Sequence, residues 1–228
     1  RPSAFLHCPS APVSKRRRRQ LPPILQLPLY YAIRAAIGTL TVGDLEANLR
    51  TARALGRAYG RFEKKRIRRA MDNIAVAFPD MSSDELEAHA IQSYEHLFML
   101  GVETAYTPRL MNLDGWSERV RVGDLNQAVR LLTSGRPCVM ITGHCGNWEL
   151  LGYTLALIGF PVHALYRPLD LAPLDQWVRR TRERRGLTLV DKFGAAETVP
   201  HIMHDGGLLG FIADQNAGDK GMFVPFFD

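Results

Sequence analysis

Apolar and polar positions follow two rhythms along this chain, and the change falls near Trp116. Before it, apolar residues recur at helical spacing. Leu45, Leu49, Ala52, Leu55, Tyr59 and Phe62 share one face of a helix that Asp44 is suited to cap. In the next segment Ile67, Met71, Ile74, Ala75 and Phe78 lie opposite Lys64, Lys65, Arg66, Arg68 and Arg69, and Pro79 stops the helix. Ser82 and Glu85 have capping-box spacing ahead of a run carrying Leu86, Ala90, Tyr94, Leu97, Phe98 and Val102, expected to end near Pro108.

After Trp116, short β-branched runs alternate with helical windows. The pairs are Arg119–Val122 with Leu125–Leu132, Val139–Thr142 with Trp148–Ile158, Pro161–Tyr166 with Leu174–Arg185, and Leu187–Val190 with Ala195–His204. Leu208–Ala213 and Phe223–Phe226 continue the strand series. Repeated β-α units predict an α/β fold, a mostly parallel sheet with flanking helices, preceded by a helical N-terminal region. Sites on such sheets lie at the carboxyl ends of the strands.

Ahead of the helices, residues 1–20 hold prolines, serines and the run Lys15-Arg16-Arg17-Arg18-Arg19, which predicts a disordered basic tail. Ile24 to Val42 is apolar apart from Arg34. Its length approaches that of a membrane span, but Pro28, Arg34 and Gly38 interrupt it, and Tyr30-Tyr31 suit an interfacial helix. The basic amphipathic profile after Phe62 likewise fits a membrane surface, and equally a solvated face. The expected divisions are 1–20, 21–43, 44–110 and 111–228, the last ending short of a complete core, so that the chain reads as a fragment.

The chemistry concentrates in Val139-Met140-Ile141-Thr142-Gly143-His144-Cys145-Gly146-Asn147-Trp148-Glu149. A strand breaks at Gly143 and a helix begins after Asn147, a suitable N-cap, so His144 falls on a strand-to-helix turn. There an imidazole can serve as a base near neutral pH, and helix N-terminal N–H groups favour developing negative charge. Glu149, on the first helical turn, is expected to reach back and orient the ring. The same residues also fit a buried turn histidine beside a surface glutamate. Other strand ends carry Arg167, in Tyr166-Arg167-Pro168, and Asp214, in Ala213-Asp214-Gln215-Asn216. If those strands are neighbours, His144, Arg167 and Asp214 converge. Arg179-Arg180-Thr181-Arg182-Glu183-Arg184-Arg185 is dense enough in cations to hold a phosphate or an acidic protein.

Composition narrows the field. With 228 residues, 46% hydrophobic and 23% charged, the chain can bury a substantial core. A net charge of +6, gathered in clusters, suits an anionic partner. Cys8, Cys138 and Cys145 are odd in number and show no metal-ligand spacing, so neither a disulfide framework nor a zinc site is expected, and no cofactor is called for.

Taken together, these blocks resemble the lipid A late acyltransferases, the lauroyl and myristoyl transferases of Gram-negative outer-membrane synthesis. More distantly they resemble the glycerol-phosphate acyltransferase superfamily. The likeness rests on Asp72-Asn73-Ile74-Ala75-Val76-Ala77-Phe78-Pro79, Glu103, Gly143-His144-Cys145-Gly146-Asn147-Trp148-Glu149, Tyr166-Arg167-Pro168, and the block opening at Asp214-Gln215 and running to Phe227. It implies transfer of a fatty acyl group from acyl carrier protein, or acyl-CoA, to a hydroxyl of an anionic membrane lipid at the cytoplasmic face of the inner membrane. By the same resemblance His144 is the base and Glu149 its partner. Backbone around Asn147 stabilises the oxyanion, and Arg167, Arg182, Arg184, Asp214 and Gln215 line the polar end of the substrate site.

Two other readings stay open. A non-catalytic module would dock its basic helices on anionic membrane, whereas nucleic acid is disfavoured because no aromatic platform or helix-turn-helix interleaves with the arginines. A thiol hydrolase would use Cys145.

Overall fold

The computed structural model describes residues 21–123, 126–183 and 186–215, and it divides into a helical unit, Leu21–Arg121, and an α/β unit from Val122 onward.

In the helical unit, α1 spans Pro23–Val42, α2 Leu45–Phe62, α3 Lys64–Ala77 and α4 Ser83–Leu110. The starts follow from local chemistry. Asp44 accepts the Ala47 N–H at 2.8 Å. Ser82 and Glu85 form the reciprocal capping box, with the Ser82 N–H donating to Glu85 Oε2 at 2.9 Å. Those bonds hold the Glu85 carboxyl below its ordinary pKa.

α2 meets α4 through small residues. Ala52, Gly56 and Gly60 are its buried positions, and a Cβ added at Gly56 would stand 2.7 Å from Glu95 Cα. Backbone therefore packs against backbone. Buried Glu95 is held there by Arg57 Nε at 2.6 Å. The expected apolar face of α2 holds in part: Leu45 and Leu49 pack with Ala52 in the core shared with α4, and Tyr59 stands against Tyr94 and Phe98, but Leu55 and Phe62 are exposed, because Gly56 and Gly60 lie at the close contact.

One proline expectation changes: α1 continues through Pro28 without interruption. α4 ends near Pro108 as expected, at Leu110, with the Met111 N–H reaching the Thr107 carbonyl at 2.9 Å. Pro108 lies in the last turn, where its missing N–H costs a single ladder bond. The C-terminus of α1 is clamped by side chains: Asn48 Nδ2 donates to the Leu40 carbonyl at 2.9 Å, and Tyr106 Oη lies 2.7 Å from the Leu40 and Gly43 carbonyls. Arg109 donates to the Thr41 carbonyl. Among the described residues no helix is long and apolar enough to cross a membrane.

The α/β unit runs α5 Asn126–Leu132, β1 Cys138–Thr142, α6 Trp148–Leu157, β2 Val162–Tyr166, α7 Ala172–Glu183, β3 Thr188–Asp191, α8 Ala195–His204 and β4 Leu208–Ile212. The strands form one parallel sheet in the order β1-β4-β2-β3. Ala156, Val162, Leu187, Leu189 and Leu208 make its core on one face. Arg119–Val122 is not a strand, because the N–H groups of Arg119 and Val120 are spent on the Trp116 carbonyl, at 3.0 Å each, around a 3-10 turn at Trp116–Glu118. The expected strand Phe223–Phe226 lies outside the described residues.

This strand order brings two segments distant in sequence side by side. Thr142 pairs with Ile212, so β1 and β4 end level, and the Ala213 N–H donates to the Thr142 carbonyl at 3.0 Å. His144 and Asp214 each stand two residues beyond those ends. Arg167 follows β2, on the other side of β4.

Candidate active site

Level strand ends bring His144 and Asp214 into double contact. The His144 backbone N–H donates to Asp214 Oδ2 at 2.6 Å, and ring Nδ1 lies 2.6 Å from Oδ1. A carboxylate only accepts, so Nδ1 carries the proton and Nε2 presents its lone pair. Both side chains remain open to solvent, His144 at 31% and Asp214 at 41%. The ring N–H, followed by the backbone N–H, holds the Asp214 carboxyl below its ordinary pKa.

Gly143 makes room for this arrangement, since a Cβ there would meet Asp214 Oδ2 at 3.0 Å. Gly146 adopts φ 59°, the left-handed region that turns the chain into α6 without strain. Asn147 then caps the helix, its Oδ1 accepting the Leu150 N–H at 2.8 Å. Trp148, the first residue of α6, stands edge-on to the imidazole, with centroids 4.7 Å apart and planes at 73°. Gln215 places its amide nitrogen 3.4 Å from His144 Nε2, as a donor to the lone pair.

Glu149 does not supply the ring's carboxylate. It faces Arg182 in the last turn of α7, with Nη2 2.5 Å from Oε1. Proximity in sequence suggested Glu149 as the orienter. Adjacency of β1 and β4 delivers Asp214, seventy positions on, instead. The available sequence signal was the equal offset of His144 and Asp214 from their strand ends; what was missing was the strand order.

The other expected site residues divide. Arg167 is exposed at the end of β2. Arg184 lies outside the described residues. The cations of α7 are partly engaged: Arg179 stacks over the Tyr166 ring at 5.5 Å and reaches Glu183 Oε1 at 3.4 Å, Arg182 holds Glu149, and Arg180 is exposed. The Tyr166 hydroxyl is buried without a partner among the described residues, and burial raises its pKa. Cys145 is exposed, and the ring nitrogens of His144 face Asp214 and Gln215 rather than its thiol.

The arrangement can remove a proton from a hydroxyl presented to Nε2 and carry the resulting positive charge against a carboxylate. Comparison with known proteins gives the family. The family model described as bacterial lipid A biosynthesis acyltransferase matches residues 25–228. The chain is 29% identical over 175 residues to a lipid A biosynthesis palmitoleoyltransferase of Escherichia coli (strain K12), covering 73% of this chain and 54% of that protein. It has the same identity and coverage to a lipid A biosynthesis acyltransferase of Shigella flexneri. It thus spans about half the length of these curated relatives. With the match reaching from the first turn of α1 through every strand and across the His144 turn, the chain belongs to the bacterial lipid A biosynthesis acyltransferase family.

Proposed function

We propose that this chain carries the catalytic base of an acyltransferase that moves a fatty acyl group from a thioester to a hydroxyl of a lipid A precursor. The observation that carries the reading is the Asp214–His144 contact, which fixes the proton on Nδ1 and leaves Nε2 as acceptor. His144 Nε2 takes the hydroxyl proton as the oxygen attacks the thioester carbon. Asp214 stabilises the imidazolium. The tetrahedral intermediate collapses with cleavage of the C–S bond, and the leaving thiolate recovers the proton from His144. No side-chain nucleophile enters the sequence of steps.

The developing oxyanion is stabilised by backbone N–H groups at the Gly146–Asn147 turn and the positive end of α6, with Arg167 at the neighbouring strand end as a further cation. Glu149 acts at one remove: its bond to Arg182 ties the first turn of α6, and hence the His144 turn, to α7. Arg182, Arg184 and Gln215 complete the polar end of the substrate site. The donor is acyl carrier protein or acyl-CoA, both anionic, which suits the positive charge of the chain. The acceptor is an anionic lipid at the cytoplasmic face of the inner membrane.

The deciding experiment incubates the protein with acyl carrier protein and CoA thioesters and a lipid A precursor, with mass-spectrometric detection. His144→Ala is expected to reduce transfer by at least about a thousandfold, the scale of losing a general base. Near-normal transfer by that variant overturns the mechanism. Vesicle binding with no transfer by the unaltered protein would favour a docking module instead.

A further inference from the structure

We infer that the outer face of α3 is a docking surface for an anionic phospholipid bilayer, separate from the catalytic turn. α3 buries Ile67 and half-buries Ala70, Met71, Ile74 and Ala75. Lys65, Arg66, Arg68 and Arg69 lie around the rest of the helix, with Lys64 at its first position, and all five are exposed. None of these five has an ion-pair partner among the described residues, whereas Arg53 and Arg57 nearby are drawn to Glu95. No acid occurs between Glu63 and Asp72.

Asp72 stands one turn beyond Arg68 and Arg69 but forms no ion pair with them among the described residues, so the run lacks the pairing that supports an ordinary solvated helix. Large apolar groups bracket it. Phe62 is 85% exposed just before α3, Val76 is 86% exposed near its end, and Phe78 is 57% exposed just after it. Apolar side chains at both ends of a helix about 20 Å long, with the cations in its first half, fit a helix lying in the headgroup layer. The cations meet lipid phosphates while Phe62, Val76 and Phe78 dip toward the acyl chains. A nucleic acid would satisfy the charges but offer Phe62, Val76 and Phe78 no apolar layer to enter, whereas a bilayer supplies phosphates and acyl chains along one plane.

The test measures partition of the protein onto sedimented vesicles of phosphatidylcholine alone and of phosphatidylcholine with phosphatidylglycerol. Lys65→Glu/Arg69→Glu is compared with a charge-matched control on the other unit, Arg130→Glu/Arg136→Glu. The α3 variant is expected to lose about tenfold or more in partition onto anionic vesicles, the control little, and Phe62→Ser/Phe78→Ser to lose binding that high salt does not already remove. Equal losses in both charge variants would reduce the effect to net charge and overturn the docking face. So would retained vesicle binding with lost binding to an acidic protein.

A measurement on the unaltered protein keeps the test decisive if a variant unfolds: hydrogen exchange across 62–78 should slow on anionic vesicles, and unchanged exchange refutes the surface. Transfer to a detergent-dispersed acceptor separates this inference from the catalytic reading. The α3 variant should retain it, whereas His144→Ala bears on the active site alone.

Discussion

Asp214 grips His144 twice, accepting from its backbone N–H through Oδ2 and from its ring through Oδ1, each at 2.6 Å. The double hold fixes both the position of the turn and the tautomer of the base. Replacing Asp214 by Asn keeps the shape but offers the ring an amide that can donate as well as accept. Turnover of Asp214→Asn is expected to fall by about a thousandfold or more with the substrate KM little changed, since the wrong tautomer leaves Nε2 protonated. A steady-state comparison showing a KM effect alone would return Asp214 to substrate binding.

Acid should reveal the same contact. The folded-state pKa of Asp214 is depressed, so its contribution is present above the ordinary carboxylate value of about 3.9 and is lost as pH falls through the lower folded value. Carboxyl NMR titration should therefore place the Asp214 midpoint below that of an ordinary exposed aspartate. A midpoint at or above the ordinary value, in a protein still folded at that pH, contradicts the geometry.

Glu149 and Arg182 are expected to behave as a unit. Each is partly shielded, at 28% and 23% side-chain exposure, so losing one leaves the other charge poorly solvated. Glu149→Gln and Arg182→Ala should each lower activity, and the double variant should be no worse than the more damaging single. A double-mutant cycle with coupling on the order of 1 kcal/mol in stability would accompany this. Additive losses would mean that the two act separately.

The close approach of α2 and α4 gives a stability prediction. Gly56→Ala places a methyl 2.7 Å from the backbone of Tyr94 and Glu95, and neither can move without shifting α4. It should destabilise the chain by about 1–3 kcal/mol. Gly101→Ala, with open space around its new Cβ on the same α4, should be neutral or stabilise by up to about 1 kcal/mol. Denaturant melts of both variants decide the matter, and equal effects would argue against backbone-on-backbone packing.

Trp148 stands against the imidazole and should tune rather than perform the chemistry. Trp148→Phe should keep most activity because it retains an aromatic face. Trp148→Leu should slow turnover by roughly tenfold or more and shift the pH–rate profile, because the ring that charges during turnover loses a quadrupole beside it. An unshifted profile would make Trp148 mere packing.

The sequence disclosed the local part of this architecture. Helix starts were legible because Asp44, Ser82–Glu85 and Asn147 cap the chain near them, within a few residues of the bonds they make. The four strands β1–β4 were legible from their short apolar runs. What could not be read was set by contacts distant in sequence. On α2, Leu55 and Phe62 were misjudged because glycine has no hydrophobicity to count, yet Gly56 and Gly60 admit α4. Glu149 was chosen over Asp214 because nothing in a linear pattern says that β4 pairs with β1. The Arg119–Val122 run had strand composition but lacked a neighbouring strand, and its amides closed a turn.

The strand order also sets a timetable. β1 has β4 as its sole hydrogen-bonded neighbour in the described sheet, and β4 must slide between β1 and β2 although it leaves the ribosome after both. Until that last insertion, β1 is an orphan ribbon and the histidine has no aspartate. Reactivity is thereby withheld from a nascent or partly unravelled polypeptide, and any mutation that delays seating of Leu208–Ile212 should slow recovery of activity more than recovery of helical signal.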